Sequence, residues 1–149
     1  MNYIETALTP AVLDTLLQMS AHWAAENSCR GYFPNGESDI QGNRIFLALD
    51  GDTPVGYLLG HITRAERTST VMAEGTPFFE VEELYIVPAQ RSKGLGGALF
   101  RFAEEQVRQE AQYILLSTAT KNWKAISHFY IEELDMEFWN ARLFKRIRE

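Results

Sequence analysis

Val81-Glu82-Glu83-Leu84-Tyr85-Ile86-Val87-Pro88-Ala89-Gln90-Arg91-Ser92-Lys93-Gly94-Leu95-Gly96-Gly97 reads as a strand with two adjacent carboxylates, a short basic turn and a glycine-rich helix start. Leu84 to Val87 is β-branched and aromatic-rich, and Pro88 ends the strand because it cannot donate to a ladder. Beyond the glycines, Ala98, Leu99, Phe102, Ala103 and Val107 recur at helical spacing, which opens a helix near Gly94. A helix N-terminus presents unpaired N–H groups and the positive end of its dipole, and glycine lets a ligand approach the backbone closely. With Arg91 and Lys93 beside it, this turn is a phosphate cradle. An ionised carboxylate is costly to bury without a partner, so Glu82 and Glu83 on the adjoining strand point to catalysis on a phosphate-bearing cofactor.

Two other glycine motifs do not fit. No Gly-x-x-x-x-Gly-Lys-Ser/Thr string occurs, and Leu99 stands where Gly-x-Gly-x-x-Gly needs its third glycine. Arg91-Ser92-Lys93-Gly94-Leu95-Gly96 instead resembles the Arg/Gln-x-x-Gly-x-Gly/Ala motif of the GNAT superfamily of N-acetyltransferases, with the expected strand before it and helix after it. The resemblance implies acetyl-CoA as co-substrate, with no metal. Its pantetheine arm would add alongside Leu84, Tyr85 and Ile86, and its pyrophosphate would rest on the amides of Ser92, Lys93, Gly94, Leu95, Gly96 and Gly97 with help from Arg91 and Lys93.

The rest of the chain reads in the same order as that family. Tyr3 to Thr6 is a short first strand, and Thr9-Pro10 caps a helix running to about Glu26. Asn27 to Asn43 is a loop, with a short helix near Glu37 to Ile40. Arg44–Leu49 and Val55–Thr63 form a hairpin about Asp50-Gly51-Asp52-Thr53-Pro54, and Phe78–Val87 is the third strong strand. Helix Gly94–Ala111, strand Tyr113–Thr118, helix Asn122–Leu134 and a final alternating strand Phe138–Ile147 complete the order. The expected fold is α/β, one domain over residues 1–149, with a mixed, mostly antiparallel sheet flanked by helices.

With 149 residues, 46% of them hydrophobic, the chain can bury a core of its own. A net charge of −6 disfavours nucleic acid and favours a cationic substrate. No apolar run approaches a membrane span, no signal-peptide pattern opens the chain, and the single Cys29 makes no internal disulfide, so a cytoplasmic protein is expected.

Acetyl transfer to an amine needs a base, because amines are mostly protonated at neutral pH. Neighbouring strand residues face opposite sides, so only one of Glu82 and Glu83 should point at a given pocket. Position in the family motif favours Glu82; Glu83 lies next to the strand's expected splay, and a bulge at Glu83 would exchange the roles. The alternative is that both pair with arginines such as Arg64 or Arg142. Asn122-Trp123-Lys124-Ala125-Ile126-Ser127-His128-Phe129-Tyr130 resembles the family's second cofactor motif, Asn-x-x-Ala-x-x-Phe-Tyr, with one extra residue before Phe129 and Asp135-Met136 in place of glycine-phenylalanine. The resemblance implies that Asn122 touches the cofactor arm and that Tyr130 protonates the departing thiolate. Tyr130 as a half-buried core aromatic is the other reading.

His22, His61 and His128 lack metal-ligand spacing, and nothing beside Cys29 supports a nucleophile. Trp23, Glu26, Tyr32 and Phe33 lie where similar enzymes shape their acceptor pocket and are the substrate-side expectations, the alternative being that they simply cover the sheet. The acceptor would be a primary amine on a small molecule or a protein, attacked directly in a ternary complex. A non-catalytic acyl-CoA sensor is the alternative, and a nucleotide-binding regulatory domain a third. Phe138, Trp139 and Phe144 are either a homodimer surface or core.

Overall fold

The computed structural model describes residues 1–149. Five strands form one sheet in the order β1-β2-β3-β4-β5: β1 Asn2–Thr6, β2 Arg44–Asp50, β3 Thr53–Arg64, β4 Pro77–Ile86 and β5 Tyr113–Leu116. The first four are antiparallel to their neighbours, and β5 runs parallel to β4. Four α-helices flank them: α1 Pro10–Glu26, α2 Glu37–Ile40, α3 Leu95–Val107 and α4 Trp123–Ile126. This is the mixed, mostly antiparallel α/β sheet that the sequence predicts. No helix is long and apolar enough to cross a membrane.

Alternation along β2 and β3 builds two cores, one on each face. Phe46, Ala48, Leu58, Phe79 and Val81 meet Leu99, Phe100, Ala103 and Val107 of α3. On the other face Ile45, Leu47, Tyr57, Leu59 and Tyr85 meet Leu16 and Met19 of α1. A strand covered on both faces is nearly all apolar, which is why Ile45 to Ala48 and Val55 to Leu59 contain almost no polar residue. Thr9 caps α1 by accepting from the Val12 amide, and Asn27 ends it in the left-handed region at φ 52°.

Two features of the sheet position the site. Leu59 pairs with Glu83 and Gly60 with Val81, so Glu82 is an extra residue on β4, a β-bulge. Pairing of β4 with β5 stops at Val81, so Glu82 to Ile86 have no strand partner on that edge.

The expected strand Phe138–Ile147 is not formed. Residues 137–149 make no backbone hydrogen bond, and Phe138, Leu143, Phe144 and Ile147 are 70–93% exposed. Alternation makes a strand only where a ladder is offered, and the free edge of β5 is four residues long. These exposures also rule out the core reading of Phe138 and Phe144. Tyr113–Thr118 shortens to Leu116 and Gly94–Ala111 to Leu95–Val107. Asn122–Leu134 is one α-helical turn followed by a wide π-helix over Ser127–Glu133.

Gly60 sits where β3 and β4 approach beneath Phe79. A Cβ there would collide with the Phe79 ring and lie 2.6 Å from the Glu80 carbonyl oxygen. Gly60→Ala is therefore expected to cost about 1–3 kcal/mol, the range for overpacking, measured by urea denaturation. Gly31→Ala has open space around it but a φ of +78° and serves as the control for backbone strain alone.

Candidate active site

Glu82 and Glu83 share one pocket. Because the bulge opposes two residues of β4 to one of β3, both carboxylates turn to the α1–α2 side instead of opposite sides, correcting the alternation rule. The pocket, of about 390 Å³, is lined by Asn35, Asp39, Gln41, Gly42, Asn43, His61, Glu82 and Glu83, none of them hydrophobic. Neither carboxylate pairs with an arginine.

The two carboxylates differ in their surroundings. Glu83 accepts from the Tyr57 hydroxyl at 2.7 Å, the Tyr32 hydroxyl at 3.1 Å and the Asn35 amide at 2.8 and 3.0 Å. Glu82 has one partner, the His61 imidazole at 3.4 Å, and its side chain is 45% exposed. Glu83 is thus an anchor that fixes the loop to the sheet, and Glu82 keeps free lone pairs facing the pocket. Burial first, and then the Glu83 charge, raises both phenols above the ordinary tyrosine value, Tyr32 to about 12.

The expected substrate residues lie elsewhere. Trp23 stacks on Tyr32 at 4.3 Å and on Tyr85 at 5.2 Å, and Phe33 is 79% exposed. Glu26 accepts from the Tyr85 hydroxyl at 2.8 Å and from Arg91 at 2.6 and 3.0 Å, and Arg91 chiefly holds its carboxyl below the usual range. Of these residues only Tyr32 reaches the pocket's machinery, through Glu83. The lining residues Asn35, Asp39, Gln41 and Asn43 carry no sequence signal because a polar stretch between α1 and β2 has no periodicity, and His61 on β3 was weighed only for metal spacing.

At the turn, Pro88–Gln90 is a 3₁₀ helix, Ser92 stands at φ 62°, and Gly94 at φ 79° caps α3. The backbone N–H groups of residues 92–97 make no hydrogen bond within the protein, six consecutive free donors at a helix start. That is a cradle for an anion such as a pyrophosphate, and Lys93, whose ammonium meets only Gln90, stands beside it. Arg91 does not fit the expectation of a phosphate ligand. Its guanidinium is taken by Glu26 and by the Ile86 carbonyl at 2.8 Å, and it lies over the Tyr85 ring. Leu84 and Tyr85 lie on the open stretch of β4, as an added arm requires, while the Ile86 carbonyl is occupied by Arg91.

The wide helix accounts for the extra residue before Phe129. Its Leu134 amide bonds back to the Phe129 carbonyl, five residues earlier. A turn closing on the fifth residue holds one more than an α-turn, so the insertion widens the helix instead of rotating the following face by about 100°. Phe129 consequently packs on the cradle, its Cζ 3.3 Å from where a Gly96 Cβ would stand. Asn122 caps α4, its side chain accepting from the Ala125 amide at 3.3 Å. Tyr130 faces a second, mostly apolar cavity of about 580 Å³ with Ile114, Leu116 and Ile126, apart from the carboxylate pocket. Burial, then the nearby Cys29, raises its phenol to about 12. His61, Glu80 and Glu82 offer ligand atoms within 4.8 Å of one another, a grouping that histidine spacing in the sequence did not reveal.

The model of the acetyltransferase (GNAT) family matches residues 13–135. The chain belongs to that family, and acyl transfer is its enzyme class. Among solved structures the fold is similar to an aminoglycoside N-acetyltransferase in complex with CoA (14% identity, 99% of each chain, TM-score 0.65). It is similar also to an aminoglycoside 6′-N-acetyltransferase of Acinetobacter haemolyticus (19% identity, 100% of this chain and 99% of that one, TM-score 0.65). A third is a ribosomal-protein-alanine N-acetyltransferase of Brucella melitensis (14% identity, 98% and 100%, TM-score 0.66). Among curated proteins none matches the chain.

The raised phenols give the pH response a sign. A folded-state pKa above the unfolded value of about 10 stabilises the fold fully below pH ~10, and that stability is lost as pH rises through the folded pKa, near 12 for Tyr32. Urea midpoints should fall between those limits. The double variant Tyr32→Phe/Tyr57→Phe should be less stable at neutral pH, having lost two donors to Glu83, and should show a flatter alkaline fall.

Proposed function

We propose that the chain transfers the acetyl group of acetyl-CoA directly to a primary amine on a small, cationic, hydroxyl-bearing molecule, both substrates being bound together and residues 1–149 acting as one domain. The bulge at Glu82 carries this reading. It puts a lightly partnered carboxylate into a polar, acidic pocket next to the open stretch of β4, one turn from six free amides. The pocket's volume falls in the usual range for small-molecule sites, and its carboxylates attract an ammonium ion. Two of the similar structures are aminoglycoside acetyltransferases, which agrees with an amine of this class.

When bound, acetyl-CoA supplies the thioester carbonyl that the amine attacks and the sulfur that leaves. The amides of residues 92–97 and Lys93 hold its pyrophosphate, and the Leu84–Tyr85 stretch takes its arm. Glu82 accepts the ammonium proton, directly or through one water, and frees the nitrogen lone pair. The N–C bond then forms as the C–S bond breaks. Tyr130, buried beside the apolar cavity and holding its proton at neutral pH, is the donor assigned to the departing thiolate on the resemblance of its helix to the second cofactor motif alone, and Asn122 lies at the start of that segment. No serine, threonine, cysteine or lysine lines the carboxylate pocket, which favours direct attack over an acyl-enzyme.

Thiol release from acetyl-CoA, screened against a panel of amines, is the test. Glu82→Gln should lower kcat by roughly 10²–10⁴-fold at neutral pH, the usual worth of a general base, with the loss shrinking as pH rises and affinity for acetyl-CoA unchanged. Unaltered turnover removes Glu82 from the role. Acetyl-CoA binding without thiol release for any amine would establish a sensor instead. Gly96→Asp should abolish acetyl-CoA binding in calorimetry, because it sets a side chain against Phe129 and a negative charge beside the pyrophosphate. Tyr130→Phe should leave the fold intact while turnover falls.

A further inference from the structure

His61, Glu80 and Glu82 are brought together by the sheet itself. His61 on β3 pairs directly with Glu80 on β4, and Glu82, two residues further along, returns to the same face. One donor atom from each of the three lies within 4.8 Å of the other two. His61 Nδ1 and Glu82 Oε1 stand at 3.4 Å, the spacing of two donors on a tetrahedral ion whose bonds are about 2.0–2.2 Å long. All three side chains rise from strands, so ladders of backbone hydrogen bonds hold their spacing.

The fold gives these carboxylates nothing else. Glu80 is half-buried and has neither a hydrogen-bond partner for its side chain nor an ion pair, and Glu82 has only His61. No lysine or arginine lines the adjoining pocket, where Asp39 and Glu83 add two more carboxylates. Two carboxylates this close repel unless a proton or a cation lies between them. His128 is the contrast. It meets Glu132 through Nδ1 and Glu133 through Nε2, each at 2.9 Å, so the two carboxylates sit on different sides of one ring and the donors do not converge on a point.

We propose that His61, Glu80 and Glu82 bind one divalent cation of the zinc type, an inhibitor of the transfer and not a cofactor of it. The imidazole nitrogen favours zinc over calcium and magnesium, which take oxygen ligands, and the two carboxylates balance its charge. Three protein donors leave a fourth position open to the solvent side. Binding stands on the three side chains alone. The inhibition rests on the reading of Glu82 as the base, because an oxygen bound to a metal ion no longer takes the ammonium proton.

Calorimetric titration of the tag-free, chelator-treated chain with zinc chloride, in the absence of substrate, tests it. One equivalent is expected to bind, and magnesium chloride should bind far more weakly. His61→Ala and Glu80→Gln should each weaken zinc by at least the ~10–100-fold that loss of a mere supporting group costs a metal site, while His128→Ala should change nothing. In the thiol-release assay zinc should slow the unaltered chain. Glu80→Gln, at a position outside the pocket lining, should keep its metal-free rate and escape the inhibition. No zinc binding, binding that survives both His61→Ala and Glu80→Gln, or magnesium binding as tightly as zinc overturns the proposal. Zinc held by these residues without slowing turnover upholds the site, overturns the inhibition and removes Glu82 from the role of base.

Discussion

A carboxylate held inside the fold must be given donors. An ion taken out of water loses several kcal/mol of solvation unless hydrogen bonds replace it. Glu83 meets that condition with Tyr57 from β3 and with Tyr32 and Asn35 from the loop after α1. The demand continues outward. Tyr32 also meets fully buried Ser20 at 2.6 Å, and the Asn35 backbone N–H donates to the Ser20 hydroxyl at 2.8 Å. A loop without regular structure is thereby pinned at two residues, Tyr32 and Asn35, to Ser20 of α1 and Glu83 of β4, and the pinned stretch leads straight into the residues that wall the carboxylate pocket.

The same network crosses the molecule. Trp23 is stacked between Tyr32 and Tyr85; Tyr85 bonds to Glu26, Glu26 to Arg91, and Arg91 to the carbonyl that closes β4. Trp23, Glu26 and Arg91, expected at substrate and phosphate, brace α1 against the end of β4 and the turn that follows it. The two carboxylates divide their work on the same grounds. The one that three side chains donate to holds structure, and the one with a single histidine partner has acceptor capacity to spare.

Much of this was legible in the sequence because it is local. Gly94, Gly96 and Gly97 after Pro88 mark a turn whose chemistry is carried by its own backbone, and apolar periodicity marks the strands and α3. What was not legible depends on partners far along the chain. The bulge at Glu82 exists only as a mismatch between β3 and β4, so the rule that neighbours on a strand face apart failed at the pair where it mattered. Arg91 looked free until Glu26, 65 residues away, was brought beside it. The extra residue before Phe129 looked like a shifted register, and the wide helix absorbed it. Phe138 to Ile147 alternates only loosely, and the free edge of β5 is too short to order it.

Six backbone donors left to water have a thermodynamic meaning beyond recognition. A ligand that binds this turn in the folded chain and not in the unfolded one adds RT ln(1 + [L]/Kd) to the free energy of unfolding, about 2.7 kcal/mol at a hundredfold excess over its dissociation constant. That is a sizeable share of the ~5–15 kcal/mol that holds a domain of ordinary size together. The melting point of this protein is therefore a property of the solution as well as of the chain, rising with the concentration of any anion that settles on this turn.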